Sequence, residues 1–295
     1  MAAQQKIQLL NPINVKDSTL ATTTLKGIGV GLRSCHYPFL ELEKPSIPWL
    51  EVLADNYFCA AGPSLQHLEK IVSIYPVTLH CVGMSLGSTD PLDTKYLKKL
   101  KSLIDLVKPQ LVSDHLCWTS FAGQHFHELL PLPYTEEAVV HAANRIRIVQ
   151  DLLQRKIMIE NVSSYLSFSH STLTEWDFLQ AVADEADCLI LLDINNIYVS
   201  SHNNHFDPLQ YLAALSTKRI AQFHLAGYQE FETHLLDTHG APVYPAVWKL
   251  FNDALEKFGP IPTSIEWDNN IPDFPKLLQE ARHAQKIMGK YAITA

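Results

Sequence analysis

Along the chain, short apolar runs alternate with longer stretches in which apolar positions recur every three to four residues. The runs are GIGVGLR (27–33), WLEVLA (49–54), VTLHCVG (77–83), LVSDHLCW (111–118), KIMIENVSS (156–164), LILLDINNI (189–197), IAQFHLAG (220–227) and TSIEWD (263–268). Most are nearly continuous in Val, Ile and Leu, the pattern of strands buried on both faces of a parallel sheet. The stretches between them predict helices. SLQHLEKIVSIY follows the second run, and DTKYLKKLKSLIDLVK follows the third with Leu97, Leu100, Ile104 and Val107 on one face. TEEAVVHAANRIRIVQDLLQ follows the fourth, with Thr135 placed to cap it. TEWDFLQAVADEA, DPLQYLAALST and PAVWKLFNDALEKFG follow the next three, and DFPKLLQEARHAQKIMGKY closes the chain. The link after the first run, SCHYPFLELEKPSIP, reads as a loop because of its prolines.

Eight strand–helix units admit two architectures, an open doubly wound sheet and a closed (β/α)8 barrel. Eight strands in roughly 250 residues favour a single α/β TIM barrel. GIGVGL holds three glycines, but it runs into the proline-rich link instead of opening a helix, so it is not a dinucleotide fingerprint. Residues 1–25 read as a polar N-terminal arm and residues 26–295 as the barrel domain, with no internal repeat beyond the strand–helix period.

Composition narrows the class. Of 295 residues, 47% are hydrophobic, ample for a core, and the net charge of −8 offers no general basic footprint for nucleic acid. No run approaches the ~18 apolar residues of a membrane span, and the N-terminus lacks the apolar segment of a signal peptide. The five cysteines, Cys35, Cys59, Cys81, Cys117 and Cys188, are odd in number and form no Cys-x-x-Cys pair. They read as reduced thiols of a cytoplasmic protein.

Chemistry concentrates where the apolar runs end, the end at which barrel enzymes carry their catalytic groups. Arg33 and His36 follow the first run, and Asp55 and Asn56 the second. His80 is on the third, Asp114 and His115 on the fourth, Glu160 and Asn161 on the fifth, and Asp193, Asn195 and Asn196 on the sixth. His224 is on the seventh, Asp237 and His239 in the loop after it, and Glu266 and Asp268 on the eighth. Taken singly, each has a structural reading, as a helix cap or a hydrogen-bonded core histidine. Together they place carboxylates on at least four apolar strands, where an unpaired charge is costly, and Lys and Arg are scarce there. Bound metal neutralises several carboxylates at once. A mixed oxygen and nitrogen donor set suits Fe, Mn or Zn in a reactive site rather than a thiolate zinc knot, and the number of candidates suits two or three ions. Cys81 and Cys117 are expected to point outward or sideways and not to ligate.

GIGVGLRSCH, WLEVLADNYF, LHCVGMSLG, LVSDHLCW, IENVSSY, LLDINNIYV, FHLAG, DTHG and IEWD, in that order, resemble the multinuclear non-haem iron-dependent oxidase family from about Gly27 to Lys286. Asp55 stands where that family usually has Glu. The resemblance implies a xylose-isomerase-like barrel with two or three iron ions, and the donor set leaves zinc or manganese as alternatives. It also implies oxidation by O2 of cysteine residues in a ribosomally made precursor peptide, presented by a separate partner protein. In this pattern Asp237 and His239 bind one ion together with Asn196, and Glu160 bridges two. Asp193, His224 and Glu266 complete one ion, and His80 and Asp114 the other, with catalysis at Glu160, Asp193 and His224. Arg33, His36, Asp55, Asn56, His115 and Asn161 orient ligands or face substrate. A more distant likeness, to the endonuclease-IV-like zinc barrels, implies a metal-dependent hydrolase or phosphodiesterase instead. Asn196 there would be a histidine, and the acidic charge counts against DNA. A sugar isomerase or epimerase is a third reading on the same scaffold.

Overall fold

A computed structural model describes residues 24–58 and 62–291. All but the last two residues of the expected arm, and Cys59, lie outside the described residues. The eight apolar runs form eight parallel strands: β1 (Ile28–Leu32), β2 (Leu50–Leu53), β3 (Val77–His80), β4 (Val112–His115), β5 (Met158–Glu160), β6 (Leu189–Asp193), β7 (Ile220–Leu225) and β8 (Thr263–Ile265). Each pairs with its sequence neighbours and β8 pairs with β1, so the sheet closes on itself. The α/β barrel read from the pattern is the fold.

The helices are α1 (Tyr37–Glu43), α2 (Pro63–Val72), α3 (Thr94–Val107), α4 (Glu136–Leu153), α5 (Glu175–Ala186), α6 (Ile194–Asn204), α7 (Pro208–Ala214), α8 (Pro245–Phe258) and α9 (Phe274–Met288). Leu97, Leu100, Ile104 and Val107 are buried as the spacing of α3 requires. Thr135 caps α4 by accepting from Ala138 N.

Two local expectations are corrected, and one element is added. The link after β1 is not all loop: α1 occupies it, with Pro38 in the first turn, where the missing N–H has no intrahelical partner to lose. Pro45 falls just past the left-handed cap Lys44, where the helix has already ended. The sixth run is not all strand. Asp193 ends β6 and at once caps α6, its Oδ1 accepting from Asn196 N at 2.7 Å. Beyond β4 the chain also makes an antiparallel hairpin, Trp118–Phe121 with Gln124–Leu130, its tip held by Asp90 on the N–H groups of Ala122 and Gly123.

The barrel interior is stratified. At the bottom, Leu25, Trp49, Leu111, Met158, Leu189 and Leu191 form an apolar plug. Gly29 of β1 makes room for it: a Cβ there would meet the Trp49 ring at 2.4 Å. Above the plug, Glu51, Thr78, Ser113, Gln222 and Ser264 are polar and buried. Two residues further along β3, β4, β7 and β8, on the same face by strand alternation, come His80, His115, His224 and Glu266. A polar middle layer therefore supports the ring of side chains at the C-terminal end.

Candidate metal centre

Glu160, at the end of β5 and fully buried, is the hub. Its Oε2 lies 3.3 Å from Nε2 of His80 and 3.3 Å from Nε2 of His115. Its Oε1 lies 3.2 Å from Nδ1 of His224. That nitrogen is also 2.9 Å from Glu266 Oε2 and 3.9 Å from Asp193 Oδ2. Further out, His239 Nε2 is 2.6 Å from Asp237 Oδ1 and 3.7 Å from Asp193 Oδ2, while its Nδ1 is 3.2 Å from Glu266 and 3.3 Å from Asp268. Three groups have donor atoms within 4.8 Å of one another: His80, His115 and Glu160; Glu160, Asp193, His224 and Glu266; His239, Glu266 and Asp268. Glu160 joins the first two groups and Glu266 the last two.

The donor atoms fit metal ions. Both Glu160 oxygens, Asp193 Oδ2, His224 Nδ1 and His239 Nε2 are buried without a hydrogen-bond partner. A buried polar atom left unpaired costs about 1–3 kcal/mol, and more when charged. Five such atoms converging on one volume are explained together by cations placed among them. The donors are imidazole nitrogens and carboxylate oxygens, a set suited to Zn, Fe or Mn.

The charges support the same view. Burial opposes the charging of His115, yet Glu160 and Asp114 push it up to about 9. His224 is raised strongly against its burial by Glu51, Glu266 and Glu160, and His239 by Asp237 and Glu266. Burial opposes the charge of Glu266 too, but His224 and His239 hold it well below the usual carboxylate range. Asp193 goes the other way, raised to about 7 by burial and by the charges of Glu160 and Asp237 despite His239. The imidazoles alone do not supply enough positive charge for the carboxylates gathered here.

Most of the expected residues come together, with some in different places. Asp114 turns to the backbone, Oδ2 accepting from Met84 N at 2.8 Å and Oδ1 from His115 N at 2.6 Å. His115, expected to orient ligands, stands among the donors instead. Asn196 lines the cavity, its Oδ1 accepting from Ser163 and its Nδ2 donating to Asn161 O. Asn161 also brackets the backbone of Asp193, donating to its O and accepting from its N. Asp237 is held by Asn195 Nδ2 at 2.9 Å. Asp55 accepts from Val82 N and from the Tyr96 hydroxyl, and so fixes the loop after β3. Arg33 pairs with Asp268. Asn56 lines the cavity, whereas His36 leaves the cluster for Pro272 O at 3.0 Å. Cys81 and Cys117 are buried and belong to none of the three groups.

Glu51 and Gln222 were not anticipated. Glu51 Oε1 lies 2.7 Å from His224 Nε2, and Gln222 Nε2 lies 3.3 Å from the same nitrogen. The sequence held a signal for each: a lone carboxylate inside WLEVLA, and a glutamine two residues before His224 on the same strand face.

Above the donors opens a cavity of about 650 Å³, its walls including Leu32, Leu53, Val82, Leu129 and the hydrogen-bonded hydroxyls of Tyr37 and Tyr57. Residues 27–289 match the family described as RiPP precursor modification enzyme MbnB/TglH/ChrH, RiPP denoting a ribosomally made, post-translationally modified peptide. The chain belongs to this family. A UPF0276 protein of Acaryochloris marina is 54% identical over 265 residues, which are 90% of this chain and 96% of that protein. Among solved structures, a D-psicose 3-epimerase from Clostridium cellulolyticum superposes with a TM-score of 0.58 at 11% identity, covering 90% of this chain and 99% of that one. Endonuclease IV from Thermus thermophilus does so with a TM-score of 0.54 at 15% identity, covering 91% and 100%. At such identities the two structures speak for the barrel fold, and the family places the chain among peptide-modifying enzymes.

Proposed function

We propose that this family member is a multinuclear iron enzyme that uses O2 to modify a cysteine of a ribosomally made precursor peptide, presented by a partner protein. The observation that carries the metal centre is the convergence of buried, unpartnered donor atoms on Glu160. Family membership supports a precursor peptide as substrate. Glu160 would bridge two ions, one completed by His80 and His115, the other by Asp193, His224 and Glu266. Asp237, His239 and Asn196 would hold a third, with Asp268 steadying His239 from its Nδ1 side.

Bound iron would supply one-electron chemistry with O2 and hold the substrate sulfur as thiolate. The chain's own part is placement. Leu32, Leu53 and Val82 give the cavity an apolar wall, which limits water around the bound side chain. Arg33 lines the cavity as well, its charge paired with Asp268. The hydrolytic alternative is disfavoured by the net charge of −8, which repels a phosphate backbone.

The test is a pair of assays on metal-loaded protein. One measures O2 uptake and peptide mass change with a cysteine-containing precursor and the partner protein. The other measures nicking of abasic-site DNA. Thiol-dependent uptake abolished by Glu160→Gln supports the proposal. DNA nicking abolished by Glu266→Gln, with no thiol-dependent uptake, overturns it.

A further inference from the structure

Beneath the donor ring, Glu51 of β2 is buried within the polar middle layer. Its Oε2 accepts from Thr78 Oγ1 at 3.2 Å and from Gln222 Nε2. Its Oε1 has no hydrogen bond of good geometry, and what it faces at 2.7 Å is Nε2 of His224. The other nitrogen of that ring, Nδ1, is buried without a partner and is turned toward Glu160, Glu266 and Asp193. The two edges of one imidazole are thus in different company. One meets the Glu51 carboxylate at 2.7 Å, a much closer contact than the 3.3 Å to the Gln222 amide nitrogen, which donates to Glu51 Oε2, and the other meets the oxygens of the candidate centre.

We propose that Glu51 is a positioning residue: by keeping the proton on His224 Nε2 it leaves Nδ1 as the nitrogen presented to a cation. This rests on the metal-centre reading. A neutral imidazole binds metal through the nitrogen without the proton, and a carboxylate on the other nitrogen both selects the tautomer and aims the ring. Thr78 and Gln222 keep the Glu51 carboxylate from turning away. The neighbouring ring is served in the same manner by a weaker partner, Ser113 Oγ lying 2.8 Å from His80 Nδ1.

The experiment compares wild type with Glu51→Leu and Glu51→Gln in cobalt(II) affinity, measured against a competing chelator. It also records the His224 ring-nitrogen resonances of the zinc-loaded proteins and the melting of each metal-free form. Glu51→Leu is expected to lower cobalt affinity about 10–100-fold, the usual effect of removing such a partner. Glu51→Gln, which keeps an acceptor oxygen, gives a smaller fall, and wild type shows a protonated Nε2. Undiminished cobalt affinity in Glu51→Leu, or a wild-type His224 bound through Nε2, overturns the proposal. If Glu51→Leu does not fold, Glu51→Gln decides. A fall in affinity with unchanged metal-free melting supports the role, and no fall overturns it. Uptake of less than one cobalt per chain by wild type instead overturns the metal-centre reading, and the role of Glu51 with it.

Discussion

The two oxygens of Glu160 face different candidate ligands, His80 and His115 on one side and His224 on the other. Glu160→Gln is therefore expected to lower metal content by more than Asp193→Asn or Glu266→Gln, with two ions lost together, as read by elemental analysis after iron loading. Cys81→Ser and Cys117→Ser should leave that content unchanged, since both thiols lie outside the donor groups. Asp114 and His115 separate in the same way. His115→Ala should remove metal, whereas Asp114→Ala should chiefly cost stability, about 1–3 kcal/mol for the freed amides of Met84 and His115, measured by urea unfolding. The sequence reading put the candidate ligand of β4 at Asp114, whereas His115 is the one that stands among the donor atoms. Adjacent strand positions face opposite ways, and the register against β3 and β5 that decides between them is a tertiary fact. Glu51 escaped notice because it sits one layer below the strand ends, where catalytic groups are sought.

Strands and most helices were legible because apolar spacing differs between them, and the barrel needs both in strict alternation. α1 and the hairpin after β4 were not. In α1 the prolines stand where a helix tolerates them, and the hairpin exposes most of its second strand, leaving little apolar signal. The loop after β3 depends on distant partners. Arg145 of α4 donates to the carbonyls of Ser85, Leu86 and Asp90, while Asp55 and Asp114 hold Val82 N and Met84 N. Arg145→Met should therefore destabilise the protein by about 2–4 kcal/mol in urea unfolding, since several buried carbonyls lose their donor at once. On α5, burial raises Glu175 to about 7, against hydrogen bonds from Ser164 and Tyr134. A carboxyl raised in the folded state adds stability that is full below its unfolded value of 4.5 and is lost as pH rises through about 7. Glu175→Gln should flatten that fall and leave the variant the more stable by about 2 kcal/mol at pH 8, in denaturant titrations at several pH values.

At the scale of the molecule, the resemblance read from about Gly27 to Lys286 and the family match over residues 27–289 cover the same barrel. Among the described residues no helix is long and apolar enough to cross a membrane. The most telling feature at this scale is that only the lower part of the barrel is filled as a core usually is. Above the plug stand layers of carboxylates, imidazoles and amides that include five buried donor atoms without a hydrogen-bond partner. Anything that binds the folded chain and not the unfolded one raises stability with its concentration, so chelation should lower the melting temperature, and added iron, zinc or manganese should restore it. The stratified interior then has a consequence for the life of the protein. A newly made chain that has not met its ions is the looser species and the one a protease reaches first, so metal supply would set how many copies persist as well as how many are active.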